Sequence, residues 1–122
     1  FFVLVRRNFG SAIVGRSLNP KQGGEWFGEI PIDNFRGPNF LMVDENKMIF
    51  SGAFHSWVYL GISDIETNTF NQMIEIPSFG DGSYPGMFIK DDFLWLSYYT
   101  SFENDEGSSV YVAKIYLNYF SI

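Results

Sequence analysis

The eight residues Gly37–Asp44, Gly-Pro-Asn-Phe-Leu-Met-Val-Asp, line up with Tyr84–Asp91, Tyr-Pro-Gly-Met-Phe-Ile-Lys-Asp, and the two prolines stand 47 positions apart. Each copy places a proline at the head of an apolar run and an acidic turn at its end. An internal repeat constrains a fold more tightly than composition does, because equal segments make equal units that must pack on one another.

The chain around the two copies reads as short strands separated by breakers. Phe1–Val5 is a strand, Arg6–Gly10 a turn that closes on glycine, and Ser11–Ser17 a strand again. Leu18–Gly24 is a loop, Glu25–Ile30 a short strand around Trp26 and Phe27, and Pro31–Pro38 a connection. Phe40–Val43, Met48–Ala53, Ser56–Ser63 and Phe70–Ile76 follow as four strands, with turns at Asp44–Lys47 and Asp64–Asn68 and a stop at Pro77. Beyond the turn cluster Gly80–Ser83 come an apolar strand, a Lys-Asp-Asp turn, the strand Phe93–Tyr99, a polar loop and a strand carrying Val110, Val112 and Ile115. Tyr116–Ile122 supplies at most one more strand, and no segment carries a 3.6-residue period long enough for a helix of three turns.

A period of about 40–50 residues with four short strands per unit is the signature of β-propeller blades. The expectation is an all-β chain of consecutive antiparallel four-stranded blades, two to three in number. Residues 1–35 end one blade, 36–82 form a full one and 83–122 make most of a further one. So short an arc does not close a ring, and its apolar faces need cover, from the missing part of the propeller or from partner subunits in a homo-oligomer. For an isolated chain the alternative is a β-sandwich or a collapsed barrel. The strand-like opening at Phe1 suits a piece of a longer polypeptide.

Composition narrows the function classes. At 122 residues with 46% hydrophobic content, the chain can bury about two thirds of its unfolded surface. Fourteen Phe, seven Tyr and three Trp favour strands. A net charge of −6 with eight scattered Lys and Arg argues against a nucleic-acid partner, whose phosphates need a basic face. No apolar window is long enough to span a membrane. The absence of Cys removes thiolate metal sites and suits a secreted or periplasmic location. No cofactor and no metal is expected.

In a propeller the connection from one blade's outer strand to the next blade's inner strand lies at one mouth of the axis, so residues just before each inner strand converge. Here these are Arg36-Gly37-Pro38-Asn39 and Asp81-Gly82-Ser83-Tyr84-Pro85. They offer a guanidinium suited to a bidentate grip on a carboxylate, an amide, a carboxylate, a hydroxyl and a phenol. A phenol beside a carboxylate base can serve as nucleophile or proton relay. Against that, Asn39 and Asp81 are turn formers, Arg36 can cap a loop, and Tyr84 can pack before its proline. His55 has no metal-spaced partner and reads as structural. Trp57, Trp95, Tyr98 and Tyr99 read as core, with Tyr98 or Tyr99 open to stacking on a sugar at the mouth. Glu103-Asn104-Asp105-Glu106 reads as a solvated hairpin tip, with calcium ligation the lesser alternative.

The segments RGPNFLMVDENKMIFSG, GISDIETNTFNQMIEIP and GDGSYPGMFIKDDFLWLSYYTSFENDEGSSVYVAKIYL resemble the C-terminal blades of sialidase-superfamily propellers, in particular bacterial sialidase-like proteins. VLVRRNFGSAIVGRS, with Trp26 after its loop, is similar to the preceding blade. The family's Asp-box, Ser-x-Asp-x-Gly-x-x-Trp, is not found; Ser63–Phe70 comes nearest. The resemblance implies a six-bladed propeller and a retaining exo-glycosidase acting on terminal sugars of glycans, with a Tyr nucleophile, an Asp acid/base and three arginines on the substrate carboxylate. Carried over by position, Tyr84 in SYPG is the nucleophile and Arg36 in RGPN or Arg7 in VRR belongs to the arginine clamp. The acid/base Asp belongs to the family's N-terminal part. A non-catalytic propeller module binding glycans or proteins is the alternative.

Overall fold

The structure, a computed structural model, describes residues 1–101, 103 and 107–121. Its strands form three antiparallel sheets, each a simple meander in which neighbours in sequence are neighbours in space. The first holds β1 (Phe2–Val5), β2 (Ser11–Arg16) and β3 (Glu25–Asp33). The second holds β4 (Arg36–Met42), β5 (Lys47–Phe54), β6 (Trp57–Asp64) and β7 (Thr69–Ile76). The third holds β8 (Gly82–Lys90), β9 (Phe93–Thr100) and β10 (Ser109–Tyr116). None of the sheets closes on itself. Among the described residues the helical pieces are two 3-10 turns, Pro20–Gln22 and Leu117–Phe120. In Tyr116–Ile122, where the sequence allows at most one more strand, Tyr116 ends β10 and the chain goes on into a single 3-10 turn whose Phe120 is buried in the core; Ile122 lies outside the described residues.

The second sheet is packed on both faces, which explains why β5 and β6 read as nearly unbroken apolar runs. Side chains alternate between two cores along β5. Met48 and Phe50 join Ala12, Val14, Ile30, Ile32 and Phe35 on the side of the first sheet. Ile49 joins Val58, Leu60, Leu94, Leu96 and Tyr98 on the side of the third. Phe50 is fully buried, with the rings of Phe35 and Phe70 edge-on at 6.1 and 6.0 Å. It lies flat across its cross-strand neighbour Gly61, where a Cβ would collide with the ring.

Three prolines sit inside strands. Pro31, Pro38 and Pro85 all lie on edge strands, β3, β4 and β8, and each falls in a register shift, where a missing N–H disturbs no ladder bond. The connection expected over Pro31–Pro38 is thus corrected to two residues, Asn34 and Phe35, because the strands run through both prolines. In β4 the pair Gly37-Pro38 lies between the partners Arg36↔Ala53 and Asn39↔Ser51. In β8 Tyr84-Pro85 lies between Ser83↔Tyr99 and Gly86↔Ser97. Each is a bulge with one extra residue, and its first member is left-handed, φ 51° at Gly37 and 52° at Tyr84.

The repeat extends through the whole ladder. Phe40↔Phe50, Leu41↔Ile49 and Met42↔Met48 are matched by Met87↔Leu96, Phe88↔Trp95 and Ile89↔Leu94. Ser51↔Leu60 and Ala53↔Val58 are matched by Ser97↔Val112 and Tyr99↔Val110. The second hairpin is one residue tighter at Asp91-Asp92, where both residues have positive φ, 51° and 63°, as a two-residue type I′ turn requires.

Replacing Phe50 by Ala removes the ring between two other rings and uncovers Gly61. We expect a loss of about 3–5 kcal/mol in urea unfolding; a loss below about 1 kcal/mol would mean the ring does not hold the first and second sheets together.

Candidate functional site

The edge strands β4 and β8 run against each other, and their bulges meet. The Ser83 hydroxyl donates to the Arg36 carbonyl at 2.9 Å, and the Asn39 amide donates to the Pro85 carbonyl at 2.8 Å. Gly37 leaves no room for a side chain here: a Cβ would collide with Ser83 and come within 3.2 Å of the Tyr84 nitrogen. Several connections gather at this end. The Asn34 N–H donates to the Gly10 carbonyl at 3.1 Å, the Ser101 N–H to the Asp81 carbonyl at 3.0 Å, and Trp57 meets Phe79 edge-on at 5.6 Å.

Tyr84 stands out of this surface with 69% of its area exposed. Its ring lies nearly parallel to that of Tyr99, 12° between planes and 6.3 Å between centroids. The Tyr99 hydroxyl donates to Asp81 Oδ1 at 3.3 Å. Partial burial first, then the Asp81 carboxylate and its hydrogen bond, push the Tyr99 phenol above its ordinary value, and the nearby Arg36 guanidinium draws it back. Tyr99 is therefore a neutral hydrogen-bond donor at neutral pH. Arg36 is tethered through Nη2 to the His55 carbonyl at the β5–β6 turn, where His55 has φ 52° and its ring packs on Phe54 at 4.1 Å.

The structure thus brings Arg36, Asp81, Tyr84 and Tyr99 together. Asn39 lies beside them, but its side chain joins β4 to β8, its Oδ1 also accepting from the Phe40 N–H at 2.8 Å. Arg7 sits in the β1–β2 turn of the first sheet, 3.5 Å from Glu29 and donating to the Ser11 carbonyl. Tyr98 points inward, 6% exposed, stacked on Tyr111 and donating to the Pro77 carbonyl at 2.9 Å, with burial raising its phenol. Of the two tyrosines open to a mouth role, the one at the surface is Tyr99. The alternation along β9, with Leu94, Leu96, Tyr98 and Thr100 inward, carries that information. The Ser83 hydroxyl, which the sequence places among the mouth groups, instead ties β8 to β4. Among the described residues no three His, Asp or Glu are grouped to hold a metal ion. Of the acidic tip, Asn104–Glu106 lies outside the described residues, and Glu103 accepts from the Tyr111 hydroxyl at 2.5 Å.

A tyrosine in the left-handed region costs about 1–2 kcal/mol that glycine does not pay. We expect Tyr84→Gly to be more stable than Tyr84→Ala by about 1 kcal/mol in thermal unfolding, since only alanine keeps the Cβ. Equal stabilities would show that the bulge imposes no strain. Comparison with known protein families, curated proteins and solved structures finds no match to this chain.

Proposed function

We propose that the three sheets are consecutive blades of a sialidase-like β-propeller, and that Arg36, Asp81, Tyr84 and Tyr99 form the sugar-contacting patch at its mouth, in a glycoside hydrolase acting on terminal sugars of glycans. The observation that carries this reading is the pair of equivalent bulges. One is filled by Gly37, the residue that suits the backbone, and the other by Tyr84, a residue that strains it. A strained backbone holding an exposed phenol is the kind of cost that persists at a working site.

Each member has a role in that reading. Arg36 grips a sugar carboxylate. The parallel rings of Tyr84 and Tyr99 offer a flat wall to a sugar face. The Tyr84 hydroxyl is the nucleophile: its proton passes to a base elsewhere in the active site as its oxygen bonds the anomeric carbon, while the aglycone oxygen leaves with the electron pair of the broken glycosidic bond and is protonated by an acid there. Water then releases the sugar and restores the phenol.

One observation favours a non-catalytic, glycan-binding reading. The carboxylate placed at the patch, Asp81, accepts from Tyr99, and activation of Tyr84 requires a base aimed at its own hydroxyl.

Two substitutions separate the readings. Titration of N-acetylneuraminic acid, used as a probe of acidic sugars, should shift backbone resonances at Arg36, Asp81 and Tyr99, and Arg36→Ala should weaken that binding about tenfold or more. Tyr84→Phe should keep binding and lower sialoside turnover about 1000-fold or more. Turnover unchanged by Tyr84→Phe removes Tyr84 as the nucleophile; sugar binding with no turnover before any substitution leaves the binding reading; binding unchanged by Arg36→Ala removes the site.

A further inference from the structure

Among the described residues, nothing covers the apolar outer face of the third sheet. Val110 is 76% exposed, Val112 65%, Phe88 54% and Tyr116 52%. Phe88 lies parallel to Trp95 at 6.0 Å, and Lys114 spans Phe93 and Trp95, 4.0 and 5.1 Å from their centroids. The ladder says what this face is for. Through the register equivalence, Phe88, Trp95, Val110, Val112 and Lys114 occupy the places held in the second sheet by Leu41, Ile49, Val58, Leu60 and Ile62. Those five residues make the face that packs against the third sheet. The exposed face continues an interface already formed once inside the molecule.

At the other end of the stack the outer face of the first sheet is also open. Val3, Gly15 and Trp26 are cross-strand neighbours on β1, β2 and β3. Trp26 is 62% exposed and lies over Gly15, whose missing side chain leaves room for the ring.

The geometry points to head-to-tail association of this chain with a second copy, the outer face of β8–β10 on one copy seating the outer face of β1–β3 on the next. Each heterologous contact covers one apolar face on each copy, its repetition covers the other, and it repeats a sheet-on-sheet packing the chain already makes. The inference rests on the ladder register and not on the sugar reading, so either stands or falls alone.

Sedimentation of the chain over a concentration series tests it. The expected result is growth beyond the 14.0 kDa monomer with rising concentration. Val112→Glu, at an exposed position that leaves the monomer's circular dichroism unchanged, should weaken association about tenfold or more, and Val110→Glu should do the same. Because the chain has no cysteine, Val112→Cys mixed with Val3→Cys should form a mixed disulfide faster than either variant pairs with itself. A monomer at every concentration, association indifferent to both glutamates, preferential pairing of Val112→Cys with itself, or cover supplied only by a different polypeptide would each overturn the proposal.

Discussion

The fold depends on how two edge strands meet where proline has removed a backbone donor from each. β4 and β8 carry Pro38 and Pro85 in matching bulges, so a continuous ladder between them is unavailable. The Ser83 hydroxyl and the Asn39 amide close the contact instead, each on a carbonyl of the opposite strand. These bonds join residues nearly fifty positions apart, so the sheet-to-sheet joint and the internal repeat are one fact seen twice. The side chains that make the joint are small or short, and this leaves the longer ones beside it, Arg36 and Tyr84, at the surface.

That arrangement gives the patch its character. Arg36 is held by the neighbouring turn, Tyr99 stays neutral and leans on Asp81, and Tyr84 keeps its ring in solvent at a backbone cost. A guanidinium, a carboxylate and two parallel phenols stand within one strand-end cluster.

Much of the fold was legible because alternation and turn residues mark strands locally. The hairpins around Asp44–Lys47, Asp64–Asn68 and Asp91-Asp92 fall where the turn chemistry put them. Pro31 and Pro38 misled because a proline in a strand reads as a stop, whereas an edge strand with a bulge has no bond there to lose. At the end of the chain the aromatic and apolar residues after β10 bury Phe120 through a single 3-10 turn, a geometry that the residue pattern leaves open. The closeness of Arg36, Asp81 and Tyr84 was legible from the repeat, which sets both strand entries at one joint. The division of labour between Tyr98 and Tyr99 was not, because it needs to be known which face of β9 meets the second sheet.

The double-sided burial of β5 and β6 has a consequence for how the molecule comes apart. Neither flanking sheet has a core of its own; each borrows half of one from the middle. Peeling away the first sheet strips Met48 and Phe50, and peeling away the third strips Ile49 and Leu60, all from the same two strands. Local melting at either end therefore undermines the other, and the three meanders share a single fate, with the slowest amide exchange centred on the strands that touch neither end.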